Sequence, residues 1–139
     1  MGNRGVAAVG NLPPAAHAGY MWPHAVAGRL WIMGGEDDQA NTNGHGIYCG
    51  LWSLDASTAE WAWEAGPATH PDQPGKWSGG GEHAHPGARY AGSSWSVSTA
   101  AVGGGDGDRG EELWLFGGWG VDAAGKRGYL SDVWRYTIN

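Results

Sequence analysis

The sequence predicts an all-β protein assembled from a repeated antiparallel unit, and three observations carry that expectation. Gly and Pro, at 27 and 7, make up about a quarter of the 139 residues, which disfavours long helices through backbone entropy and lost N–H donors. Leu, Ile, Val and Phe reach only 18 residues, a share usual in disordered chains. The net charge is only −6, however, and the chain holds 10 Trp and 5 Tyr. Each aromatic side chain can bury roughly 150–250 Å², so ring packing replaces the missing aliphatic core. The third observation is internal repetition: Leu30-Trp31-Ile32-Met33-Gly34-Gly35 returns as Leu113-Trp114-Leu115-Phe116-Gly117-Gly118.

The elements follow in chain order. Trp22 to Val26 and Leu30 to Met33 read as a hairpin turning at Ala27-Gly28, closed by the double glycine, which permits positive φ and close backbone approach. In Leu51 to Asp55, Trp52 and Leu54 share one face, and Trp61 and Trp63 do the same in EWAWEAG. The first unit therefore has four strands within residues 16 to 66, after an N-terminal segment, 1 to 15, that stands where the outer strand of a preceding unit would lie. A connector, 67 to 85, leads to a second unit, 86 to 139, with three strands: Ala91 to Val97, Glu112 to Phe116 and Leu130 to Thr137. Trp22 aligns with Trp95, Trp31 with Trp114 and Trp52 with Trp134, while Pro14-Ala15-Ala16-His17 aligns with Pro86-Gly87-Ala88-Arg89. The growing offset between units marks an expanded Gly- and Asp-rich loop, VGGGDGDRGEE.

At these residues the chain resembles kelch repeats, the four-stranded blades of a β-propeller. The likeness is to the tryptophan-rich branch, with PGARYAGSSW (86 to 95), LWLFGGWGVDAAGKRG (113 to 128), YLSDVWRY (129 to 136) and EWAWEAG (60 to 66) as its signatures. It implies antiparallel blades in an incomplete propeller, with Gly34, Gly35, Trp52, Trp61, Arg89, Gly117, Gly118 and Trp134 as structural motif residues. His17 stands where the pattern has Arg, and the second unit lacks its outer strand. Propellers need several blades around a channel, so this chain does not close a ring alone.

Several function classes are disfavoured. Eight Lys and Arg against 14 Asp and Glu give no basic footprint for nucleic acid. No window is apolar enough to cross a bilayer as a helix, and the N-terminus has no apolar signal-peptide core. A single cysteine, Cys49, excludes an internal disulfide and makes a reducing, cytoplasmic setting the default expectation. Gly120 to Gly125-Lys126-Arg127 imitates a phosphate-binding loop but has Arg where Ser or Thr is needed, and a strand where a helix should follow. Asp106, Asp108, Glu111 and Glu112 fail the spacing of a calcium loop and read as a solvated acidic loop. His83 and His85 give at most half of a metal site and read as exposed connector residues. Tyr48 and Cys49 touch on the Tyr–Cys cross-link of galactose-oxidase-type enzymes, yet neighbours on a strand point to opposite faces, and Cys49 reads as a packing residue.

The expected function is non-catalytic: a protein–protein interaction module with no cofactor or metal, presenting the loops 36 to 50 and 119 to 129. Trp119, Lys126 and Arg127 are the candidate partner contacts, because Trp and Arg commonly anchor interfaces, with inter-blade packing as the competing role for Trp119. The alternatives are a fragment of a kelch-fold copper oxidase and a truncated gene product without separate activity. The missing outer strand also predicts that the isolated chain either self-associates, residues 4 to 9 of one copy pairing on 130 to 137 of another, or is only marginally folded.

Overall fold

Cross-strand aromatic pairs organise the fold, because wide, half-buried rings suit a pleated surface. The computed structural model describes residues 3–25, 28–37, 46–77, 84–100 and 109–138. Its strands are β1 (Tyr20–Ala25), β2 (Arg29–Met33), β3 (Glu36–Asp37), β4 (Gly46–Ile47), β5 (Leu51–Asp55) and β6 (Glu60–Ala65). They continue as β7 (Arg89–Tyr90), β8 (Ser93–Ala100), β9 (Arg109–Phe116), β10 (Trp119–Val121), β11 (Arg127–Tyr129) and β12 (Val133–Ile138). No α-helix occurs among the described residues. The chain is all-β, with four open antiparallel sheets, ordered β1-β2-β5-β6, β12-β9-β8, β11-β10-β7 and β3-β4.

The two larger sheets repeat one another in register. Trp22 pairs with Trp31 and Trp31 with Ser53, as Trp95 pairs with Trp114 and Trp114 with Arg135. Ile32 opposes Trp52 just as Leu115 opposes Trp134. The expected equivalence of Trp31 with Trp114, and of Trp52 with Trp134, therefore holds at the level of individual pairs. Both double glycines take positive φ, +71° and +105° at Gly34 and Gly35, +66° and +95° at Gly117 and Gly118. A Cβ at Gly118 would run into the Tyr20 hydroxyl and the Tyr90 carbonyl, so no larger residue fits.

The upstream alignment needs correction by one residue. Ala18 and Ala91 share a left-handed backbone, φ 54° and 56°, and His17 opposes Glu36 as Tyr90 opposes Trp119. Thus His17 corresponds to Tyr90, and the counterpart of Arg89 is Ala16. The likeness of PAAH to PGAR misled because it scores letters, whereas strand pairing sets the true register.

The two sheets stack face to face. Tyr20, Trp22, Trp31, Met33, Leu51 and Ala65 of the first meet Leu113 and Leu115 of the second, with Trp134, Tyr136 and Ile138 packed at the margin. Each large side chain so buried contributes about 1.5–3 kcal/mol. Polar pins cross the same interface: the Trp22 indole N–H donates to the carbonyls of Trp95 (3.0 Å) and Trp114 (3.1 Å), and the Tyr20 hydroxyl to that of Gly117 (2.6 Å).

Three further expectations change. The loops after the double glycines contain short hairpins, β3–β4 and β10–β11, the latter pairing Trp119 with Tyr129 and Val121 with Arg127. Glu111 and Glu112 belong to β9 instead of a solvated loop, and Glu111 is buried, because the strand starts earlier than its apolar pattern suggests; Asp106 and Asp108 lie outside the described residues. The N-terminal segment, finally, is held within its own chain. The amides of Gly5 and Ala8 donate to the carbonyls of Trp63 and Trp61, and the buried Asn11 amide bonds the carbonyls of Val6 and Trp61. It lies on the outer edge of β6, so residues 5 to 8 are already occupied and not offered to β12 of another copy.

Candidate functional site

The site begins at Arg89, which is 1% exposed. It lies on β7, between the double glycine of the first unit and the third strand of the second. Its backbone amide donates to Tyr48, and its carbonyl accepts from Gly35 (both 3.0 Å). Its guanidinium forms a two-pronged pair with Asp132, Nη1 to Oδ1 at 2.6 Å and Nη2 to Oδ2 at 2.8 Å. Two further N–H groups reach the carbonyls of Gly87 (3.0 Å) and Gly117 (3.3 Å). Planar fork-to-carboxylate bonding of this kind is what Arg does and Lys cannot.

Asp132 also accepts from the Trp134 indole at 2.6 Å. Partial burial works to raise its pKa, but the hydrogen bonds from Arg89 and Trp134 and the Arg89 charge outweigh it, holding the carboxyl below its usual range. Burial pushes Tyr20 up to about 12, against a smaller opposing pull from Arg89. Burial likewise pushes the Cys49 thiol up to about 12, which keeps it protonated and unreactive.

The second sheet, whose strand β12 follows Asp132, turns its other face outward. Because Leu113 and Leu115 point inward, the intervening residues of β9 and their cross-strand partners point away: Ser93, Trp95 and Val97, then Glu112, Trp114 and Phe116, then Val133 and Arg135. Trp95, Val97, Phe116 and Val133 are between 41% and 46% exposed. Trp95 stacks on Trp114 with ring centroids 6.0 Å apart, and the Arg135 guanidinium lies 5.6 Å from the Trp114 ring centre. Arg135 also bonds Glu112 at 3.2 Å, and Glu112 accepts from the Trp114 indole at 3.0 Å. The equivalent residues of the first sheet, Trp22, Trp31 and Met33, are buried against its neighbour.

The candidates singled out by sequence fall in different places. Trp119 is half-buried, its ring 5.9 Å from Tyr90, in a cluster with Ile47, Cys49, Ala88 and Val121. Lys126 is exposed at the β10–β11 turn, and Arg127 pairs with Asp72 at 2.7 Å. Residues 38–45 of the other loop lie outside the described residues. Trp52 is buried and Trp61 half-buried, and both act in packing. His85 is buried, with Nδ1 2.9 Å from the Pro86 carbonyl, which corrects its reading as an exposed connector residue: the connector folds back, Lys76 pairing with His85. His83 lies outside the described residues. No group of three or more metal-ligating side chains occurs among the described residues.

Sequence reasoning missed Asp132 and the outward row. The signal for Asp132 was its place two residues before Trp134, the same spacing that puts Glu112 before Trp114. No protein-family model, curated protein or solved structure matches the chain.

Proposed function

We propose that this chain is a non-catalytic, kelch-type interaction module, two blades of an incomplete β-propeller, whose outward second sheet receives a protein partner. The observation that carries the reading is the uneven fate of one face. In the first unit Trp22, Trp31 and Met33 are covered by a neighbouring sheet; in the second, Trp95, Trp114 and Phe116 stand in the same register facing away from the other described strands. Trp22 reaches across its interface to two carbonyls, and Trp95 is the residue placed to do the same toward a further sheet. Exposed Trp and Phe beside an Arg have the composition of interface anchors. Lys126, exposed at the turn of the β10–β11 hairpin, is a further candidate contact.

The test is site-specific photo-crosslinking in cells making the protein, with the probe at Val97, Phe116 or Ser57. Protein adducts concentrated at Val97 and Phe116 support the reading. Adducts no more frequent there than at Ser57, or stoichiometric copper on the purified chain, overturn it.

A further inference from the structure

We propose that the groove between Trp77 and the β10–β11 hairpin receives an arginine side chain of a protein partner. None of its lining residues belongs to the outward row, so this goes beyond the interaction reading above and is tested separately from it. The groove has a volume of about 430 Å³, and Trp77, Asp122, Tyr129, Ser131 and Asp132 are among the residues that line it. Its two rings are uncovered to a degree unusual for their size: Trp77 is 62% exposed and Tyr129 93%. Large rings grouped in one cleft gain from a ligand the burial that folding has not given them.

The walls are built before a ligand arrives. The Trp77 ring stacks on Trp134, with centroids 4.0 Å apart, and the Trp134 indole is held by its bond to Asp132 at 2.6 Å. The preceding residue, Lys76, exchanges backbone hydrogen bonds with His85, at 2.9 and 3.2 Å. Tyr129 is set by its pairing with Trp119. On the hairpin, the Asp122 carboxylate closes the turn: Oδ1 accepts from the amides of Ala124 (2.9 Å) and Lys126 (2.8 Å). Both bonds use the same oxygen, which leaves Oδ2 as an acceptor for a ligand. Asp132, by contrast, is already engaged by Arg89 and Trp134.

Charge and shape choose the occupant. Among the described residues the charged groups lining the groove are the two carboxylates; neither Lys126 nor Arg127 lines it, and Arg127 is paired with Asp72 at 2.7 Å. A cation is therefore complementary, and the aromatic faces favour one that stacks. A guanidinium is planar, weakly hydrated and edged with N–H groups, so it lies on an indole and reaches a carboxylate at once, which an ammonium does less well. The molecule already builds this combination elsewhere: Arg135 lies 5.6 Å from the Trp114 ring centre and bonds Glu112 at 3.2 Å. A partner arginine over Trp77, bonded to Asp122, repeats it across an interface.

The probe is a capped Gly-Arg-Gly tripeptide, titrated into the isotope-labelled full chain and followed by the magnetic resonance shifts of its backbone and indole N–H groups. Saturable shifts grouped at Trp77, residues 122 to 124 and residues 129 to 132 are expected. Citrulline in place of the arginine keeps the shape and removes the charge, and should weaken binding about fivefold; lysine in its place should also bind more weakly. Asp122→Asn keeps the Oδ1 acceptor of the turn and Tyr129→Ser removes an exposed ring, so each variant should fold normally and bind about threefold more weakly. Absence of saturable shifts, equal binding of the citrulline or lysine peptide, shifts centred away from the groove, or stronger binding of a neutral methyl glycoside overturns the proposal. Crosslinks at Val97 and Phe116 in a protein that ignores the arginine peptide overturn the groove and leave the outward face in place.

Discussion

Removing the carboxylate of Asp132 tests whether one ion pair holds β7, whose backbone bonds Gly35 and Tyr48 of the first unit, to the start of β12. Asp132→Ala leaves the Arg89 guanidinium, 1% exposed, with only the Gly87 and Gly117 carbonyls among its side-chain bonds, and strips the Trp134 indole of its acceptor. Breaking one side of a buried pair costs about 3–5 kcal/mol, and an orphaned buried donor about 1–3. Asp132 is itself one-quarter exposed, so water relieves part of this, and we expect a loss of about 3–5 kcal/mol in all. That is a large fraction of the 5–15 kcal/mol typical of a domain. Arg89→Met should cost less, because the carboxylate left behind reaches solvent. The double variant Arg89→Met/Asp132→Leu should cost less than the sum of the single losses by at least 1 kcal/mol, since residues in one ion-pair network couple by about 0.5–3. Urea unfolding of all four proteins, followed by Trp fluorescence, gives the cycle. Single losses below 1 kcal/mol that add without coupling would refute the role given to this pair.

Other outcomes follow from the same geometry. Trp22→Ala should cost about 3–5 kcal/mol by leaving a core cavity, whereas its counterpart Trp95→Ala should cost much less, and thermal unfolding separates the two. Gly118→Ala should destabilise by about 1–3 kcal/mol from its positive φ alone, and further through contact with Tyr20 and Tyr90, as a lowered urea midpoint will show. The folded pKa of Asp132 lies below its unfolded value, so its contribution is complete above about pH 4 and lost as the pH falls through the folded value; Asp132→Asn should flatten that acid limb. Tyr20 is opposite in sign: its contribution is complete below 10.0 and lost as pH rises toward about 12, and Tyr20→Phe should remove that alkaline loss.

The paired sheets were legible because their information is local and periodic. Trp22, Trp31, Trp52 and their counterparts mark strands by alternation, and the double glycines mark where those strands stop. The hairpins β3–β4 and β10–β11 were not legible: with two or three residues per strand there is no alternation to detect, and their pairing depends on Arg89 and Tyr90 arriving from elsewhere. The N-terminal segment escaped for a related reason. Residues 4 to 9 read as a strand for the edge of 130 to 137, whereas within the chain they lie along β6, held by the Gly5 and Ala8 amides and by the Asn11 side chain bonding across to Trp61. Of the candidate site, the basic hairpin residues were visible as residue types. The outward row was not, because repeat identity does not say which copy lacks a cover.

The polar groups show how the two repeats have diverged while keeping one backbone. In the second sheet two of the three indoles on the repeated rows have carboxylate acceptors, Trp114 with Glu112 and Trp134 with Asp132. In the first sheet the corresponding positions are Arg29, a donor without acceptor capacity, and Gly50, with no side chain. The indoles of Trp31 and Trp52 are accordingly buried without a hydrogen-bond partner, at a cost of about 1–3 kcal/mol each. An acidic side chain could not simply be restored at position 50, since a Cβ there would stand 2.8 Å from the Pro67 carbonyl and 2.9 Å from the Trp52 indole nitrogen. The connector that follows β6 fills the space that Asp132 uses in the other unit. The first repeat thus gives up polar satisfaction for closer packing, and the second keeps its charged groups on and beside a face that is partly exposed. Such a division is what a repeat needs when one copy serves as core and the other as surface.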